Sequence, residues 1–242
     1  MLKPFKALLL APLLVALALA CSSDEQELFV PYDLPPELEG MDLSYLPFEY
    51  LRDGCMYRAA YLGMEFAVAG LPAVALQAQD CDMKRSIHGP AGERWRVHVV
   101  GGFVEDGQVK VVDPGFSDAL LTPDQWLAFL DSDNLNVRYN PSAYPQAMDG
   151  ANTCHSESGQ ENIVATVGQM TPFDPENIAI WCSYLRRYLR DAGQDEDGSR
   201  EALLVARSAE LFDALLDLGL ISSMGEAPAK GSFACPPPLD LP

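Results

Sequence analysis

The dipeptide Asp106-Gly107 restricts the fold of this chain more than any other feature. It sits between Trp95–Val104 and Gln108–Val112, two runs rich in valine and aromatic residues. Asp-Gly between apolar runs marks a two-residue hairpin turn, because both central residues take positive φ, which few other residues tolerate. Such a turn sets the strand register. With Asp106 and Gly107 as the turn, Glu105 faces Gln108 and facing residues sum to 213. His98 and Asp113 sum to 211, which makes them diagonal neighbours on one sheet face. Such neighbours lie roughly 7–8 Å apart at the backbone, within reach of polar side chains. An aspartate there can hold an imidazole in one tautomer and orientation, the third role in a nucleophilic triad. A bulge at Gly101-Gly102 would shift this register by one residue.

The remaining segments give an α+β pattern of a helix, then a sheet, then a helical C-terminal part. Asp53 is placed to cap a helix whose first turn contains Gly54 and Cys55. Met56, Ala59, Ala60, Met64, Ala67 and Val68 form one apolar face, and Gly70-Leu71-Pro72 ends the helix. Residues 73–93, broken by Gly89-Pro90 and Gly92, read as a weakly ordered connection. Thr122-Pro123-Asp124-Gln125 is a capping box that opens a short helix through Leu130. Residues 131–171 are polar and read as loops with one strand near Val137. Asp174-Pro175 begins a helix through Leu189, and Ser199 is expected to cap another through Leu216. Arg186, Arg187 and Arg190 read as a solvated helix end, and Asp191, Asp195, Glu196 and Asp197 as a solvated loop whose spacing is wrong for calcium. The tail from Pro228 reads as extended.

Lys3 and Lys6 precede a 14-residue apolar run, Ala7 to Ala20, the pattern of an export signal and short for a membrane span. The run ends Leu17-Ala18-Leu19-Ala20-Cys21, which resembles a bacterial lipobox. That resemblance implies cleavage after residue 20, lipidation of Cys21 and anchorage in the cell envelope; plain signal cleavage is the alternative. Residues 21–46, with three prolines and several acids, then read as an exposed tether, residues 47–150 as a catalytic core and residues 151–242 as a mainly helical part. The chain carries 35 acids against 16 bases, a formal net charge of -19, and no basic footprint for a nucleic acid.

An exported chain meets an oxidising compartment, where cysteines usually pair. Of Cys21, Cys55, Cys81, Cys154, Cys182 and Cys235, lipidation of Cys21 leaves five, so one thiol stays free. Cys55, at a helix start, is where backbone N–H groups and the dipole favour a thiolate. Cys81, Cys154, Cys182 and Cys235 would then make two disulfides of open connectivity. Only His88, His98 and His155 are available to pair with a catalytic cysteine. Cys154-His155 has no second ligand pair beside it, so no metal or other cofactor is expected.

Three motifs in chain order carry a family resemblance: Asp53-Gly54-Cys55-Met56-Tyr57-Arg58-Ala59-Ala60, then Trp95-Arg96-Val97-His98-Val99, then Val111-Val112-Asp113-Pro114. Together with Asp80-Cys81 they resemble the bacterial protein-glutaminase family, over about residues 50–120. The resemblance implies a papain- and transglutaminase-like core, with a helix bearing the cysteine and an antiparallel sheet bearing the histidine and aspartate. It implies Cys55 as nucleophile, His98 as base and acid, Asp113 as orienting acid, and glutamine carried by a protein or peptide as substrate. Residues 22–46 are too short for the long inhibitory pro-segment with which those enzymes are made. Two other readings remain: the same triad serving a transglutaminase-like or cysteine peptidase activity, and a non-catalytic envelope lipoprotein acting as an interaction module.

Overall fold

In a computed structural model the described residues are 35–38, 40–50, 54–80, 87–90, 92–130, 137–140, 163–170, 172–191, 195, 197–222 and 228–238. The export signal, Cys21, Asp53, Cys81, Cys154 and His155 lie outside them. The elements are α1 (Cys55–Val68), β1 (Ala73–Asp80), β2 (Ile87–His88), β3 (Arg94–Trp95), β4 (Val97–Glu105), β5 (Gln108–Val112), α2 (Pro123–Leu130), β6 (Val137–Asn140), β7 (Ile163–Gln169), α3 (Pro175–Asp191) and α4 (Ser199–Asp217). This is an α+β fold. Five strands form one sheet in the order β5-β4-β1-β7-β6, antiparallel except for the last pair, and β2 pairs with β3 apart from it.

The hairpin has the expected register. Glu105 faces Gln108 and Gly101 faces Val112, with Asp106 at φ 50° and Gly107 at φ 74° in the turn. No bulge interrupts β4 at Gly101-Gly102, and its other edge pairs continuously with β1 from Val97 to Phe103. Residues 73–80, expected in a weak connection, form β1, the central strand. Its alanines are poor strand formers by composition, but alternation decides their place: Val74, Leu76 and Ala78 join a core with Trp126, Leu127 and Leu130 of α2, while Ala75 meets Ala59 of α1. Small side chains on that face let the helix approach.

Two boundaries drawn from sequence need correction. The tether does not extend to residue 46: Leu38, Leu43, Tyr45 and Leu46 are fully buried with residues of α1, α3 and α4. Arg200 of α4 ties this segment down by donating to the carbonyls of Ser44 (3.0 Å) and Leu46 (2.9 Å) and pairing with Glu49. The prolines and acids around these apolar residues hid them, as they follow neither helix nor strand periodicity. Nor is residue 150 a structural divide, because β7 lies between β1 and β6 in the sheet of the first part. The helical remainder braces α1. Glu65 of α1 accepts from Tyr45 (2.7 Å) and Arg207 of α4 (2.8 and 2.6 Å), and Tyr61 shares a 2.7 Å hydrogen bond with Ser208.

A disulfide joins Cys182 of α3 to Cys235 of the proline-rich tail. The arginines of α3 are not simply solvated, since Arg186 and Arg190 both donate to Glu201, and Arg186 also reaches the carbonyl of Pro236. Ser199 is the first residue of α4 and not its cap. Gly198 takes the cap position, and Asp195 accepts from the backbone N–H groups of Arg200 (2.9 Å) and Glu201 (2.7 Å). Those first-turn groups have no partner within the helix.

Candidate active site

Cys55 is the first residue of α1, placed there by two glycines. Gly54 caps the helix at φ +81°, where a side chain would be strained, and a Cβ there would stand 2.6 Å from the Tyr188 ring of α3. Gly101 lets α1 lie directly on β4: a Cβ would stand 2.6 Å from Cβ of Leu62 and 3.2 Å from the Ala59 carbonyl oxygen. The glycine pair suspected of making a bulge thus permits a close helix–strand approach. β5 covers β4 only from Gly101 to Glu105, so Val97–Val100 lacks a strand on that side among the described residues. The Cys55 sulfur faces this open edge, where the nearby Val99 backbone N–H favours the thiolate.

His98 and Asp113 meet where the hairpin arithmetic placed them. Asp113 follows β5, and its Oδ2 lies 2.8 Å from His98 Nε2. The same oxygen accepts from Trp126 Nε1 at 2.9 Å. Trp126 is set by the expected capping box of α2, in which Thr122 N–H donates to Gln125 Oε1 (2.8 Å) and Gln125 N–H to Thr122 Oγ1 (3.2 Å). Trp95 stacks on the imidazole with ring centroids 4.4 Å apart and planes 15° apart, and Phe116 meets its edge. His98 and Asp113 are 5% and 8% exposed, so their hydrogen bond is shielded from water.

Cys55 interacts with the same imidazole. Nδ1, the nitrogen not held by Asp113, is buried without a formed hydrogen bond and is therefore the one left for the sulfur. That contact is looser than a hydrogen bond at rest, as catalytic contacts without substrate often are. The ring is used in the opposite sense to the serine-protease arrangement, in which the acid holds Nδ1. Burial pushes the Cys55 thiol up, but the neighbouring His98 imidazole, the charge of Arg58 and the nearby Val99 N–H outweigh it, leaving the thiol below its ordinary value. For His98, burial opposes the charged form, yet Asp113 and then Cys55 raise it to about 9. Both shifts favour the thiolate on Cys55 and the imidazolium on His98.

These groups line a cleft open to solvent, together with Phe48, Arg58, Leu62 and the Pro114-Gly115-Phe116 turn. Cys55 is the free cysteine among the described residues. His88 is in β2, paired with Arg94 and outside this cleft. No group of three or more metal-ligating side chains occurs among the described residues.

Sequence reasoning passed over Arg58 and Trp126. Arg58 is buried one turn after Cys55 and was visible as a charge inside the apolar face of α1. Trp126 was legible as the residue immediately following the capping box. Chemically, the arrangement offers an activated sulfur, a proton carrier and a fixed acid at one cleft, the parts needed for nucleophilic attack on a carbonyl carbon. No protein-family model, curated protein or solved structure matches this chain.

Proposed function

We propose that the protein is a cysteine amidohydrolase of the protein-glutaminase type, converting protein-bound glutamine to glutamate. The observation that carries this reading is the Cys55–His98–Asp113 constellation. It joins a helix-start sulfur, an imidazole with one free nitrogen and a shielded carboxylate, on motifs in the order of that family. On this reading the helix start against an antiparallel sheet is a papain-like core. The thiolate attacks the side-chain amide carbon, and backbone N–H groups at the start of α1 face the oxyanion. His98 gives its proton to the departing nitrogen, ammonia leaves, and a thioester remains. Water then attacks the thioester, His98 takes the water's proton, and the carbon–sulfur bond breaks to release glutamate and the thiolate.

On this reading the lipobox-like run Leu17–Cys21 anchors the enzyme through Cys21 in the bacterial cell envelope, on its periplasmic or surface face, with protein or peptide as its partner. Intact mass of the mature chain tests the anchor: an unmodified Cys21, or a chain beginning elsewhere, contradicts it. The activity is tested by ammonia release from a glutamine-rich protein, with glutamate mapped in its peptides. Wild type should release ammonia and Cys55→Ala should not. Cleaved peptide bonds without ammonia would favour the peptidase alternative.

A further inference from the structure

Arg58 is a buried cation inside the site to which the chemistry above assigns no task. It follows Cys55 by three residues, so both occupy one side of α1. The side chain lines the cleft, and Nη1 stands 3.3 Å from where a Cβ on Gly54 would be, beside the helix start. Nη1 also donates to the carbonyl of Tyr50 at 2.8 Å, which fixes the guanidinium from the segment preceding α1. The residue is 6% exposed, and a cation so far from water is costly unless negative charge meets it.

Among the described residues, the ionisable groups that act on Arg58 include Cys55 on α1, Asp113 after β5, Tyr188 on α3 and Glu49 before α1. Two of these have other partners as well. Asp113 accepts from His98 and Trp126, and Glu49 pairs with Arg200. The other cation that acts on the sulfur is His98 on β4, which must become neutral during each turnover.

We propose that Arg58 is a positioning residue for the nucleophile: its fixed guanidinium holds Cys55 as a thiolate independently of His98. The sulfur then keeps its charge when the imidazole gives up its proton. The same cation favours the final step, in which the carbon–sulfur bond pair returns to sulfur as thiolate while the water's proton passes to His98. This inference rests on Cys55 being the nucleophile of the proposed function, but not on what the substrate is.

The test is the pH dependence of Cys55 alkylation by iodoacetamide, a small neutral probe that reads the thiolate without any amide substrate. Arg58→Met should move the thiol midpoint up by about one pH unit or more, slowing alkylation roughly tenfold below the midpoint. Arg58→Gln, which keeps a donor for the Tyr50 carbonyl but no charge, should do the same. Arg58→Lys should stay within about half a unit of wild type, because charge is what matters. The upward shift should recur when Arg58→Gln is made in a His98→Ala background. A folded Arg58→Gln or Arg58→Met protein with the wild-type midpoint overturns the proposal, as does Arg58→Lys behaving like Arg58→Met. Should neither neutral variant fold by circular dichroism, Arg58→Lys decides: an ordinary thiol midpoint there overturns it, and a retained low midpoint supports it. A wild-type protein with a low thiol midpoint but no ammonia release would remove the proposed function and leave this role of Arg58 standing.

Discussion

Buried polar groups occur in two regions of this protein, and the two regions treat them differently. Where α4 and the N-terminal segment brace α1, Glu49, Glu65 and Ser208 each have formed partners: Arg200, Arg207 with Tyr45, and Tyr61. Ser183 on α3 likewise donates to the Pro237 carbonyl at 2.7 Å. At the cleft, His98 is held on one nitrogen by Asp113 while the other is buried without a hydrogen bond, beside the half-buried Cys55. A buried polar atom left without a partner costs roughly 1–3 kcal/mol; His88 Nε2 on β2 and Arg187 Nη1 on α3 share that state away from the cleft, and what distinguishes His98 Nδ1 is the cysteine beside it. The brace pairs its buried carboxylates and hydroxyls, and the cleft keeps a ring nitrogen in reserve. The regions touch at Tyr188, whose ring packs on Gly54 beside the nucleophile.

The strongest way to break this contrast is to remove members of the reserve. Cys55→Ala and His98→Ala should each abolish ammonia release, by about 10⁴-fold or more, and the double variant should be no worse than either. Thermal unfolding of Cys55→Ala should stay close to wild type. Turnover retained in His98→Ala would remove the enzyme reading, because His88 lies outside the cleft.

The converse experiment is on the brace. Replacing Cys182 and Cys235 together by alanine opens a link spanning 53 residues, which should lower stability by about 4 kcal/mol. Thermal unfolding should show that loss, while kcat near room temperature stays within about twofold of wild type. Stable variants that lose turnover would show that the brace belongs to the chemistry.

Asp113→Asn sharpens the comparison at a single atom. An amide oxygen can still accept from Trp126, so the protein should fold, but the imidazole loses its charge partner and tautomer control. A loss of about a hundredfold or more in kcat/KM is expected, and a folded variant with wild-type turnover would take Asp113 out of the mechanism.

The smallest effect expected is on pH. His98 keeps its proton up to about 9, so kcat/KM should fall above that pH, about tenfold per unit, as the general acid is lost. The sign is the same for stability. A histidine raised from 6.5 to about 9 by folding stabilises fully below 6.5, and its contribution disappears as pH rises through 9. An alkaline limb near 7 would show that Asp113 does not hold the imidazolium.

Much of the site was legible in the sequence because a two-residue turn transmits information across fifteen residues. Once Asp106-Gly107 closed the hairpin, His98 and Asp113 had to share a face, and the capping box at Thr122 fixed where Trp126 begins its turn of helix. The central strand β1 was not legible, since its alanines carry little strand preference and owe their place to the closeness of α1. β7 was hidden within a polar stretch, and its pairing with β1 joins residues about ninety apart, which no local pattern reports. The segment from Leu38 to Tyr50 failed for a third reason. Its apolar residues are buried by tertiary contact with α1 and α4 in an irregular backbone, so neither period marks them.

The central claim is that Cys55 turns over an amide through a thioester, and acid quenching of the enzyme with a glutamine peptide tests it most directly. The account predicts an adduct on the Cys55 peptide equal in mass to the substrate less one ammonia, absent from Cys55→Ala, decaying to the glutamate product. Turnover with no adduct at Cys55, or an adduct carrying only a fragment of the peptide cut at its backbone, would contradict it.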